Sequence, residues 1–87
     1  MDLQDYRKQI DGIDEKLLRL FIERMEVSRE IAQYKKEHNL PTLDPKREEE
    51  KRITIGEKAG EELGPYAQKL YVTLAELSRA YQDGILP

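Results

Sequence analysis

An arginine, Arg24, stands where the spacing of its neighbours asks for an apolar residue. It interrupts the series Leu3, Tyr6, Ile10, Ile13, Leu17, Leu20, Val27, Ile31 and Tyr34, whose steps of three and four mark one face of a helix. A guanidinium facing a helical core is unfavourable unless an anion meets it, and that anion is either a side chain or a ligand. The alternative without a ligand is an arginine that snorkels to the surface or pairs with Glu23, Glu26 or a carboxylate of another chain. Eleven residues further, Lys35 returns to nearly the same face, about 16 Å along the axis. It is also placed to complement the C-terminal dipole of its helix. Asp44, Arg47 and Glu48 fall at i, i+3 and i+4 of a second helical stretch, where they form either a cap followed by solvated charges or one polar face. Ser78 and Gln82 stand at i and i+4 beside a further apolar stripe. Arg7 is by default a surface residue near Asp11 or Glu15, and His38 a solvated loop residue.

The chain has no Ser-His-Asp or Cys-His set, no Gly-rich phosphate loop and no His/Cys cluster, so covalent and metal chemistry are not expected, and no cofactor is implied. Cations, neutral donors and carboxylates remain. Such a set suits the binding of a small anion and the stabilisation of developing charge by fixed donors.

Three helices are expected to position these groups. Asp2 is an N-cap, and with no Pro and only Gly12 before His38 the first helix is predicted over 3–37, about 52 Å long. Asp44 and Pro45 cap and open the second, predicted over 45–59 and stopped by Gly60. Gly64-Pro65 restarts the chain into a third over 65–83, whose stripe Ala67, Leu70, Leu74, Leu77 and Tyr81 is expected to pack on the first helix. Residues 1–87 are expected to form one domain.

Hydrophobic and charged residues each make up 38% of the chain, which has no Trp and one Phe, as in long amphipathic helices. A net charge of −3 argues against general nucleic-acid binding. No membrane-spanning stretch or signal-like start is present, and with no Cys the protein is expected to be soluble and cytoplasmic. A compact domain of this length has a radius of gyration of about 12 Å and is too small to enclose a helix of about 52 Å. The heptad-like seam therefore calls for a second copy of the chain, and a homodimer is expected.

Taken in order, Arg7, Ile10-Asp11-x-Ile13-Asp14-x-x-Leu17-Leu18, Glu23-Arg24, Lys35, Asp44-Pro45-x-Arg47-Glu48 and Ser78-x-x-x-Gln82 resemble the small all-α chorismate mutases along essentially the whole chain. The resemblance implies an intertwined homodimeric bundle of three-helix chains and the pericyclic rearrangement of chorismate to prephenate, in phenylalanine and tyrosine biosynthesis. It further implies that Arg24, with Arg7 from the other protomer, binds the substrate carboxylates. Arg47 supports them, Lys35 and Gln82 donate to the ether oxygen, Glu48 with Asp44 holds the ring hydroxyl, and Ser78 contacts a carboxylate. Two other readings are an isochorismate-pyruvate lyase of the same fold and a non-catalytic helical dimerisation or regulatory module. The matched polar residues weigh against the second, and Glu48 against the first.

Overall fold

A computed structural model describes residues 1–85 of the chain, so 86–87 of the expected domain lie outside it. The described residues form helices and loops without a strand: α1, Leu3–Glu37, and α2, Pro45–Ile85. Among them no helix is long and apolar enough to cross a membrane.

Helix α1 has the predicted limits because both ends are capped. The Asp2 carboxylate accepts from Asp5 N at 3.0 Å, and the Asp5 carboxylate accepts from Asp2 N at 3.1 Å, a reciprocal pair that satisfies two otherwise unpaired donors. At the other end Asn39 takes a positive φ of 55°, which a short polar side chain tolerates. Leu40 N then donates to Lys35 O at 2.8 Å and Asn39 N to Lys36 O at 3.4 Å, the paired bonds of a left-handed C-terminal cap. This turn sends the chain back past Lys35.

Helix α2 departs from the expected pair of helices. Its start is as predicted, with Asp44 Oδ1 accepting from Arg47 N at 3.1 Å. The expected interruption from Gly60 to Gly64 is absent, and only Gly60 leaves helical geometry, at φ 89° and ψ 171°. One such residue redirects the backbone without a linker. Glu61 and Glu62 then lie where a new N-terminus favours negative charge. Pro65 comes one turn later, where the carbonyl it leaves unpaired is that of Glu61, the first residue after the break. The redirection is a reversal: Glu48 and Arg79 form an ion pair although 31 residues separate them, about 46 Å along a straight helix. Residues 45–59 and 61–85 are thus two arms folded together. A Cβ at Gly64 would stand 2.9 Å from Gly56 O, so glycine permits their close approach near the turn.

The face by which the second arm packs was not the one expected. Beyond Gly64 at the turn, its buried positions are Tyr71, Ala75, Ser78 and Gln82, whereas Leu70 (59% exposed), Leu77 and Tyr81 of the predicted stripe remain accessible. On α1 the buried residues are Ser28 and Ala32, one position beyond the seam residues Val27 and Ile31. Most of both apolar stripes is therefore left uncovered by the intrachain contact, with Ala67 and Leu74 half-buried. The molecule measures 54 × 27 × 14 Å, one helix layer thick, with a radius of gyration of 16.0 Å against about 12 Å for a compact chain of this length. Its accessible surface is 7226 Å², where a compact monomer of 10.2 kDa exposes about 5,300 Å².

The backbone geometry at Gly60 is essentially restricted to glycine, and a Cβ there would meet nothing within 4 Å, so the penalty of substitution is conformational rather than steric. Gly60→Ala is expected to destabilise the chain by about 1–3 kcal/mol in urea unfolding. An unchanged midpoint would contradict the reversal described here.

Candidate active site

A cavity of about 370 Å³ opens where α1 and the two arms of α2 converge. Seven of the eight residues expected to form a site line it: Arg24, Lys35, Asp44, Arg47, Glu48, Ser78 and Gln82. Each element has a distinct part. The last turns of α1 present Arg24 and Lys35, the capped start of α2 presents Asp44, Arg47 and Glu48, and the end of α2 presents Ser78 and Gln82.

Arg24 leaves the seam to reach α2. Its Nη1 donates to Ser78 Oγ and to Leu74 O, the latter at 3.4 Å. Among the described residues it enters no ion pair, so Glu23 and Glu26 do not neutralise it. The partners of this half-buried guanidinium, a hydroxyl and a carbonyl, carry no formal counter-charge. Because Ser78 accepts from Arg24, its own hydroxyl hydrogen remains to be donated.

Two further donors are anchored in the same way. Lys35 Nζ donates to Thr42 O at 2.9 Å, a carbonyl brought back by the turn after α1. Gln82 Nε2 donates to Ser28 O at 3.1 Å, across to α1. An ammonium carries three hydrogens and a primary amide two, so one bond fixes each group and leaves hydrogens for a ligand. Among the described residues no buried side-chain nitrogen or oxygen lacks a partner.

Asp44 serves as the α2 cap and also borders the cavity. Glu48 pairs with Arg79 of the second arm, each side chain 28% exposed. The hydrogen bond to Glu48 holds the Arg79 guanidinium above its ordinary pKa against the opposing effect of burial, and the charges of Glu48, Glu76 and Asp83 act in the same direction. By contrast, Glu49 pairs with Arg52 three residues on, at the solvated surface expected of a charge run.

Arg79 and Lys51 line the cavity and were not among the residues expected from the sequence. Lys51 follows Arg47 by one turn, and Arg79 lies between Ser78 and Gln82, so both were within the reach of helical spacing. The apolar stripe of the second arm lies one position away from this face. With them the cavity lining holds five cationic and two anionic side chains, a surplus of three positive charges in a chain whose net charge is −3. Low-dielectric walls strengthen that local field for an anionic ligand.

Arg7 is the expected residue that the chain does not bring to the cavity. It is exposed on α1, 17 residues before Arg24 and about 26 Å away along the axis, beyond the reach of an arginine side chain.

A family model described as chorismate mutase type II matches residues 6–83. Among curated proteins, a bifunctional chorismate mutase/prephenate dehydratase of Aquifex aeolicus is 45% identical over 49 residues, 56% of this chain and 14% of that protein. A chorismate mutase of Methanocaldococcus jannaschii is 41% identical over 46 residues, 53% of this chain and 46% of its own length. The T-protein of Haemophilus influenzae is 39% identical over 46 residues, 53% of this chain and 12% of that protein. The chain thus spans less than half the length of each of these relatives. No solved structure gives a significant match.

Proposed function

We propose that this chain, which belongs to the chorismate mutase type II family, rearranges chorismate to prephenate and so supplies phenylalanine and tyrosine biosynthesis. The observation that carries the reading is the convergence of Arg24, Lys35, Glu48, Ser78 and Gln82 on one cation-rich cavity. In this reaction the ether C–O bond breaks while a C–C bond forms within the same molecule, so neither a nucleophile nor a metal is required. What accelerates it is a compact reactive conformation and donors placed at the oxygen where negative charge gathers.

The family resemblance implies the roles, and the charges are consistent with them. The planar guanidinium of Arg24 takes one substrate carboxylate, with the Ser78 hydroxyl beside it and Arg47 in support. The free hydrogens of Lys35 and Gln82 meet the ether oxygen, an interaction stronger in the transition state than in the ground state. Glu48, with Asp44 at the α2 N-terminus, accepts from the ring hydroxyl.

The working unit is a homodimer in which each chain folds as a three-helix protomer, the two arms of α2 counting as separate helices. Its support is the pair of apolar stripes left uncovered and an excess of roughly 1,900 Å² of surface per chain, which suits an obligate interface. If the two α1 helices pair antiparallel about a two-fold axis, the contact of residue 7 with the partner's region near 24 that the family resemblance implies would put that axis near residues 15–16. Ile10 then lies opposite Phe21 and Ile13 opposite Leu18, so the register that completes the site also matches apolar groups. In this arrangement Arg7 crosses to the other protomer's cavity. The dimer is expected to act in the cytoplasm.

Adding the protein to chorismate should remove the substrate's absorbance and yield prephenate. Release of pyruvate from isochorismate would instead point to a lyase, and no change with either compound at high protein concentration to a non-catalytic helical module. Gln82 permits a sharper test. An amide donates at every pH, whereas an ionised Glu would repel the developing oxygen charge and donate only once protonated. Gln82→Glu is expected to lower kcat at neutral pH by on the order of 10²–10³-fold and to confine activity to acidic pH. A pH profile like that of the wild type would remove Gln82 from this role.

A further inference from the structure

Glu48 does not pair with the cations one turn further along its own helix. On its own helix arm the default partners are Lys51 at i+3 and Arg52 at i+4. Arg52 is taken by Glu49, with bonds of 2.9 and 2.5 Å. Glu48 instead reaches across the fold to Arg79, 31 residues away, through its Oε1. That bond exists only because Gly60 turns one arm of α2 back upon the other. It draws the carboxylate off the exposed surface of its helix and into the cavity that both residues line.

From this geometry we infer that Arg79 is a positioning residue, which fixes the Glu48 carboxylate at the cavity wall so that its second oxygen can accept from the substrate's ring hydroxyl. The inference rests on the role of Glu48 proposed above. A guanidinium suits the task because it is planar, permanently charged and pre-organised, and its single Nη1 bond to Oε1 leaves the other carboxylate oxygen unoccupied. Fixing it also matters in this setting. With Lys35, Arg47 and Lys51 lining the same cavity, an untethered Glu48 has other cations to join, and each such pairing would turn it from the hydroxyl and weaken the positive field. Arg79 acts through Glu48 and leaves Arg24 and Arg47 to the substrate carboxylates. Glu76 and Asp83, one turn before and after it, favour its charged form.

The test is a double-mutant cycle on the full chain, with kcat and KM for chorismate measured for wild type, Glu48→Gln, Arg79→Met, Arg79→Lys and the Glu48→Gln/Arg79→Met pair. Single-turnover experiments with enzyme in excess keep the slow variants measurable, and circular dichroism melting reports whether each is folded. Arg79→Met is expected to lose roughly 10- to 100-fold in kcat/KM, a coupling typical of groups in direct contact. Arg79→Lys should recover part of that loss. In the Glu48→Gln background Arg79→Met should have almost no further effect. Full multiplication of the two losses would overturn the inference, because Arg79 would then act independently of Glu48. So would an unchanged Arg79→Met, or a loss that follows melting temperature and is not relieved by lysine. A wild-type chain that leaves chorismate untouched would overturn the functional reading and this inference together, whereas an active wild type with any of the preceding results overturns the inference alone.

Discussion

The guanidinium of Arg24 occupies a position that the helical repeat reserves for an apolar side chain, and the chain's organisation around the cavity follows from how that charge is accommodated. It is not neutralised by a neighbouring carboxylate. It bends out of the seam and binds a hydroxyl and a carbonyl on the second arm of α2, which fixes the rotation of that arm and brings Ser78 and Gln82 to face α1. Two neutral acceptors hold the group in place but leave its charge uncompensated. A cation kept half-buried on those terms suits the anionic substrate proposed here, and the surrounding lysines and arginines extend the same field.

The same contact explains why the visible hydrophobic stripes are not the ones buried within the chain. If the seam residues of α1 faced α2, Arg24 would sit between two apolar surfaces with no acceptor in reach. The intrachain contact is instead displaced by one residue on each helix, to Ser28 and Ala32 on one side and to Tyr71, Ala75, Ser78 and Gln82 on the other. These are small or polar groups that let the helices approach and hydrogen-bond. The leucine and isoleucine faces are left uncovered within the chain, available to the second copy proposed above, which makes the exposed stripes a consequence of the site rather than a defect of packing.

Much of this was legible in the sequence. The starts of α1 and α2 follow from local chemistry at Asp2, Asp44 and Pro45, where a side chain satisfies a backbone donor or the residue lacks one, and the end of α1 follows from the polar loop that begins at His38. Seven of the expected site residues converge because helical periodicity and the order of motifs constrained them together. The turn in α2 was harder to read, since Gly64-Pro65 is the stronger break signal in isolation and only the folded arms reveal that Gly60 alone suffices. The packing face of the second arm escaped because Tyr71, Ala75, Ser78 and Gln82 mix polar with apolar residues and form no stripe. Arg79 escaped for a related reason: its partner is chosen by the chain reversal, and sequence distance carries no trace of it.

Arg7 is the remaining expected residue, and its distance from the cavity of its own chain ties the proposed dimer to the proposed chemistry. If the chain that covers the apolar seam also completes the site, the two defects can be placed on different subunits and compensated. The most direct measurement is the activity of purified heterodimers formed from one chain carrying Arg7→Ala and another carrying Arg24→Ala, each inactive as a homodimer. A shared site predicts recovery of about one working site per heterodimer, half the wild-type activity, since one cavity then receives both arginines. Verified heterodimers as inactive as their parents would contradict it.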